Sequence, residues 1–144
     1  MEIRKLCPEE WGAAAALVWQ VFQRFEAPEY PPQGVEAFRS FLEDRQGLLS
    51  LGAWAAWEGE ELIGVLASRR EGSHICLCFV REDFHRQGIG RSLWEHLLAE
   101  TCAKRITVHS SPYAVGFYHR LGFLDTAEEQ QQDGIRFTPM EYTR

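Results

Sequence analysis

Apolar positions along this chain change period several times, and each change marks a different element. From Trp11 the apolar side chains recur at Val18, Phe22 and Phe25, with Leu17 and Val21 beside them. That spacing predicts an amphipathic helix of about four turns. Pro8-Glu9-Glu10 supplies its start, with a proline and two acids in the first turn. Ala27-Pro28-Glu29-Tyr30-Pro31-Pro32 breaks the helix, and a second one follows through Val35, Phe38, Phe41 and Leu42. Elsewhere the pattern alternates or runs solid, as strands do. Residues Glu2 to Leu6 predict a first strand, and Gly52–Trp57 with Leu62–Ser68 a hairpin through Glu58-Gly59-Glu60-Glu61. His74 to Val80 is apolar and β-prone, as expected of a strand covered on both faces. Ile89, Leu93 and Leu97 return to helical spacing, and Ile106 to His109 predicts another short strand. Ala114, Phe117, Tyr118 and Leu121 share one face of a last helix, closed by Gly122. Phe123–Ala127 and Ile135–Tyr142 predict a final strand pair, joined by a connection, residues 128–134, that is polar throughout.

The order is strand, two helices, three strands, helix, strand, helix, two strands. It predicts an α/β sheet with helices on both faces, in one domain over residues 1–144. Composition narrows the function. A net charge of -6 argues against nucleic acid as a partner. Met1 to Leu6 contains no apolar leader region and no run reaches membrane-spanning length, so a cytoplasmic protein without a membrane partner is expected. Cys76 and Cys78 alternate along one face of a strand, too far apart to ligate one ion, so no metal is expected and the thiols read as small buried hydrophobes. Trp11 and Trp19 on the first helix leave a homodimer open.

Between the strand ending at Val80 and the helix starting near Ile89 lies Arg81-Glu82-Asp83-Phe84-His85-Arg86-Gln87-Gly88-Ile89-Gly90-Arg91. Gly88 and Gly90 let the backbone approach a ligand closely. The helix start leaves amide N–H groups unpaired, and the helix dipole with Arg86 and Arg91 adds positive charge. Together these describe a phosphate cradle. A dinucleotide-binding loop would place a third glycine at Leu93, and a P-loop needs Gly-Lys-Ser/Thr; neither is present.

The loop His85-Arg86-Gln87-Gly88-Ile89-Gly90 resembles the acetyl-CoA signature of the GNAT superfamily of N-acetyltransferases, Arg/Gln-x-x-Gly-x-Gly/Ala. Ser111-Pro112-Tyr113-Ala114-Val115-Gly116-Phe117-Tyr118-His119-Arg120-Leu121-Gly122-Phe123 resembles that family's second signature, Asn-x-x-Ala-x-x-Phe-Tyr-x-x-x-Gly-Phe. His85 stands where Arg or Gln is usual, and Ser111 where Asn is usual. The resemblance implies a mixed, mostly antiparallel sheet in which the strand before the loop and the strand after the cradle helix splay apart. It implies that pantetheine lies in that gap against the backbone of Phe79 and Val80, and that acetyl-CoA is the co-substrate. It assigns cofactor contacts to residues 85–91 and to Ser111, an oxyanion donor near the Val80 N–H, and the role of acid to Tyr118.

The expected reaction is direct transfer of acetyl from acetyl-CoA to a primary amine of a small molecule or peptide. No activating partner for Cys76 or Cys78 is evident, which disfavours a covalent acyl-enzyme. The general base stays open among His74, His109 and a water relay; His85 reads as a surface residue. Roughly 20 Å of extended strand would separate His74 from Val80. Glu29 and Tyr30, with Glu26 beside them, are placed to meet a cationic acceptor. An acyl-CoA-binding sensor module without catalysis is the alternative, and an acetylating toxin acting on charged tRNA is disfavoured by the acidic balance.

Overall fold

The computed structural model describes residues 1–144. Its strands are β1 (Glu2–Lys5), β2 (Gly52–Glu58), β3 (Glu61–Arg69), β4 (His74–Val80), β5 (Arg105–Ser110), β6 (Leu124–Asp125), β7 (Gln130–Gln132) and β8 (Ile135–Thr143). Its helices are α1 (Trp11–Phe25), α2 (Pro32–Glu43), α3 (Arg45–Leu49), α4 (Ile89–Glu100) and α5 (Val115–Leu121). The sheet runs β1-β2-β3-β4-β5-β8-β6, with β7 hydrogen-bonded to β8. Every pair is antiparallel except β4 with β5. This is the mixed α/β fold that the element order and the motifs imply.

Helices cover both faces because both faces are apolar. On one side α4 and α5 bury Leu93, Trp94, Leu97 and Tyr118 against Ile63, Leu66 and Ile106. On the other, α1 and α2 bury Val18, Phe22 and Leu42 against Val65, Leu77 and Phe79. Pro8–Glu10 forms a separate tight turn before α1. The Glu10 carboxylate accepts from the Cys7 N–H at 2.8 Å and from Arg4 at 2.9 Å. These bonds, led by Arg4, hold the carboxyl at about 2.

Three expectations need correction, and a fourth is narrowed. Cys76 and Cys78 do not share a face. Ala67 opposes Leu77 and Ser68 opposes Ile75, so Cys76 is an extra, bulged residue. Cys76 therefore packs with the α1/α2 core and Cys78 with the α4/α5 core. The connection 128–134 is not all loop. Its glutamines form β7 by pairing with β8 through a tight turn in which Asp133 and Gly134 both have positive φ. The strand expected over 123–127 shortens to β6, because Phe123 is drawn into the core while Leu124 is 73% exposed. Finally, Trp11 is buried and Trp19 lies beneath the Arg39 guanidinium. Of the two tryptophans that left a homodimer open, only Trp19, half-buried, still reaches the surface.

Candidate functional site

β4 and β5 pair only at His74 with Thr107 and Ile75 with Val108. Beyond the bulge at Cys76 they diverge, and no strand fills the wedge. Amides alternate sides along a strand, and the Arg81 N–H bonds to Ile63 O of β3 at 2.8 Å. The Val80 N–H therefore points away from β3 and into the wedge.

Two cavities meet there. The first, about 720 Å³, is lined by Val80, the loop residues from His85 to Arg91 other than Gln87, and α5 residues such as Phe117 and Arg120. The second, about 430 Å³, lies between α2 and the β4–β5–β8 part of the sheet. Glu26, Cys78, Phe79 and Ala114 line both, so the wedge connects them.

The loop at the mouth of the larger cavity is a cradle of free donors. None of the six N–H groups from Arg86 to Arg91 has an acceptor within the protein; the first helical bond runs from Ser92 N–H to Gly88 O at 2.9 Å. Gly88 takes φ +79 at the N-cap, where an added Cβ would touch nothing; its requirement is conformational. Gly90 has a different one. A Cβ there would lie 2.9 Å from the Phe117 ring, so its small size serves the packing of α4 on α5 as well as lining the cavity.

Side chains around the cradle divide into braces and free cations. His85 Nε2–H donates to Val80 O at 2.6 Å and its ring packs on Phe25 at 5.1 Å, while the His85 N–H is bound to Glu82 O. His85 therefore fixes the loop to the strand end and has no backbone donor to offer a ligand. Gln87 donates to Asp83 O at 3.4 Å. Arg91 Nη2 donates to Arg120 O at 2.9 Å, which ties α4 to the end of α5. Arg86 lines the cavity with no protein partner, as does Arg120, which the sequence reading passed over. Acetyl-CoA fits this set of residues: free amides and cations suit its phosphates, and the wedge exposes strand backbone.

In the smaller cavity the structure brings Tyr30 and Tyr118 together, as well as His74 and His109. Glu29 is not among its lining residues; the side chain is exposed and its carbonyl accepts from Arg136 at 3.0 Å. Ser111 lines the smaller cavity rather than the cofactor one, and its buried hydroxyl faces the Glu26 carboxyl without forming a hydrogen bond of ordinary geometry. The residue sequence reasoning underweighted is Glu26, on the first residue after α1, where both cavities touch it. Burial raises its carboxyl to about 7, even with the nearby Ser111 hydroxyl tempering the rise. Burial, then Cys78 and Glu26, raises the Tyr118 phenol well above its usual range, so it keeps its proton. Burial also pushes the Cys78 thiol up to about 12, which removes it as a nucleophile. His74 falls to about 4, chiefly through burial and then His109, Arg69 and Arg70.

Residues 26–144 match the family model described as an acetyltransferase (GNAT) domain. No curated protein matches the sequence. Among solved structures, a GCN5-related N-acetyltransferase from Rhodopseudomonas palustris superposes with a TM-score of 0.86 at 20% identity, covering 99% of this chain and 95% of that one. The PaiA N-acetyltransferase from Thermoplasma acidophilum, solved with coenzyme A, gives 0.75 at 19% identity over 99% and 98%. An aminoglycoside 6'-N-acetyltransferase complexed with coenzyme A gives 0.70 at 14% identity over 99% and 97%.

Proposed function

Since the chain belongs to the GNAT acetyltransferase family, with acetyl-CoA as its co-substrate, we propose that it acetylates a primary amine of a small molecule or peptide by direct transfer. The observation that carries this reading is the run of six unpaired amides from Arg86 to Arg91, opening on a cavity that continues through the β4–β5 wedge to Glu26. When bound, acetyl-CoA supplies an acetyl thioester.

The chain's own groups then have distinct tasks. The cradle amides and Arg86 hold the phosphates. The Val80 N–H faces the wedge and donates to the carbonyl oxygen as negative charge gathers on it. Glu26, which changes protonation near neutral pH, takes the proton that the incoming ammonium must lose. His74 and His109 are weaker bases, both lowered mainly by burial, and His74 stands four residues upstream of Cys78 on β4. Glu26 therefore replaces them as our assignment. Tyr118, held protonated, donates a hydrogen bond to the departing sulfur. Complete transfer from so weak an acid is uphill, so its contribution is electrostatic stabilisation, and the second proton released by the nitrogen as the amide forms neutralises the thiolate.

The test is titration calorimetry with acetyl-CoA followed by thiol release over a panel of amines. Micromolar binding with turnover of at least one amine supports the reading. Binding with no thiol release from any amine reduces the protein to an acyl-CoA-binding module. For Tyr118→Phe we expect kcat to fall roughly 10- to 100-fold, as loss of one hydrogen bond to a charged group would give, with acetyl-CoA affinity changed less than about twofold. Wild-type turnover would return Tyr118 to a purely packing role, beside Phe123 at 5.3 Å.

A further inference from the structure

The smaller cavity, which on the reading above takes the acceptor, is electrically divided along its length. At one end, toward the C-terminal ends of β4 and β5, stand Glu26 and the Ser111 hydroxyl. The β7–β8 turn that carries Asp133 belongs to the same end, because β8 runs past Ser110 toward it and the Gly134 backbone rests on Gly34 at the start of α2. At the other end stands Arg69, the last residue of β3, paired with His74 at the first residue of β4. Arg69 Nε–H donates to Cys76 Sγ at 2.9 Å, which aims the guanidinium along this wall. Neither Arg69 nor the adjacent Arg70 forms an ion pair with any carboxylate. The middle is walled by Phe38, Phe41 and Phe137.

We propose that the acceptor carries, besides its amine, an anionic group (carboxylate or phosphate) that Arg69 recognises at the far end of the cavity, with an apolar body between them. The inference rests on the amine-acetylation reading above. Cys78, beside Glu26, and His74, beside Arg69, are four residues apart on one strand, which the bulge at Cys76 shortens, so the two charges of the acceptor stand on the order of 10 Å apart. An isolated α-amino acid is too short to span this, and an apolar tri- or tetrapeptide with a free C-terminus is long enough.

His74 and His109 complete the anionic end. Their rings meet edge to face at 5.1 Å, and His109 stacks on Phe137 at 4.4 Å. A 2.7 Å hydrogen bond between His74 Nδ1 and the Thr107 hydroxyl holds the imidazole in place against the cavity wall.

Three probes of matched length decide the question: an apolar tripeptide with a free carboxylate, the same peptide amidated, and an aminoalkyl phosphate. The wild type should favour the acid-bearing probes about 10- to 100-fold in kcat/KM, the effect of one charge-assisted contact. Arg69→Ala should raise KM for the acids by the same factor with kcat unchanged, leave the amidated peptide unaffected, and recover partly as Arg69→Lys. Which acid is preferred names the anion. Calorimetry of the acid and amide probes on the coenzyme A complex reads the same preference without turnover, so it still decides if no amine is acetylated. Equal affinity for acid and amide, or equal loss of both in Arg69→Ala, would overturn the inference.

Discussion

Glu26→Gln should lower kcat/KM for the amine about 10²- to 10⁴-fold, the range removed with a general base, while acetyl-CoA affinity stays within about twofold. The wild-type pH profile should rise on a limb centred near pH 7, where the buried carboxyl ionises, and the variant should lack that limb. The same burial makes Glu26 a cost to the fold. The unfolded side chain releases its proton near 4.5 and the folded one near 7. Between those values the native state binds more protons than the unfolded state, so this group's contribution falls as pH rises and is fully lost above about 7. Glu26→Gln should then be more stable than wild type at pH 8, by about 2 kcal/mol after allowing for the side chain's partial contact with water, and no more stable at pH 4. His74 acts in the opposite direction, its lowered value making stability rise with pH between about 4 and 6.5. The two slopes oppose each other across most of that window, and Glu26→Gln unmasks the second one. A variant with wild-type turnover and an unchanged pH limb would remove Glu26 from the chemistry.

The cradle was legible in sequence because it depends on local backbone: a strand, a glycine turn and a helix start occupy consecutive residues, and the amides they leave unpaired follow from helix geometry alone. The wedge was legible only through the resemblance of the two motifs, since nothing in β4 itself reports that β5 leaves it after Ile75. The bulge at Cys76 was hidden for a related reason: a register shift is a property of two strands, and His74-Ile-Cys-Leu-Cys-Phe-Val80 reads as unbroken. β7 was missed although Asp133-Gly134 is a hairpin signal, because three glutamines carry no apolar alternation and are held by β8. Glu26 shows the limit most clearly. Beside Pro28 and Glu29 it looks like one more solvated acid, and only the closing of two cavities around it raises its carboxyl to about 7.

The two cradle glycines should fail in different ways, which makes them a test of how the site is built. Gly90→Leu should weaken acetyl-CoA binding about 100-fold, at the upper end of what forcing atoms into a packed contact costs. Gly90→Ala should weaken it about 10-fold, since even one methyl group must displace the Phe117 ring it would meet at 2.9 Å. Phe117 lines the larger cavity, so shifting α5 away from α4 also shifts the cradle wall. Gly88→Ala meets no atom within 4 Å and strains only the backbone at φ +79, a penalty of about 1–2 kcal/mol for an L-residue. Its affinity loss should therefore be smaller than that of Gly90→Leu, and removing side chains nearby should not relieve it. Phe117→Ala provides the discriminating cycle. Combined with Gly90→Ala it opens the space the methyl needs and should restore most of the lost affinity; combined with Gly88→Ala it should add its own cost. If Phe117→Ala fails to rescue Gly90→Ala, the space over Gly90 is needed by the ligand itself, and the packing account of that glycine is wrong.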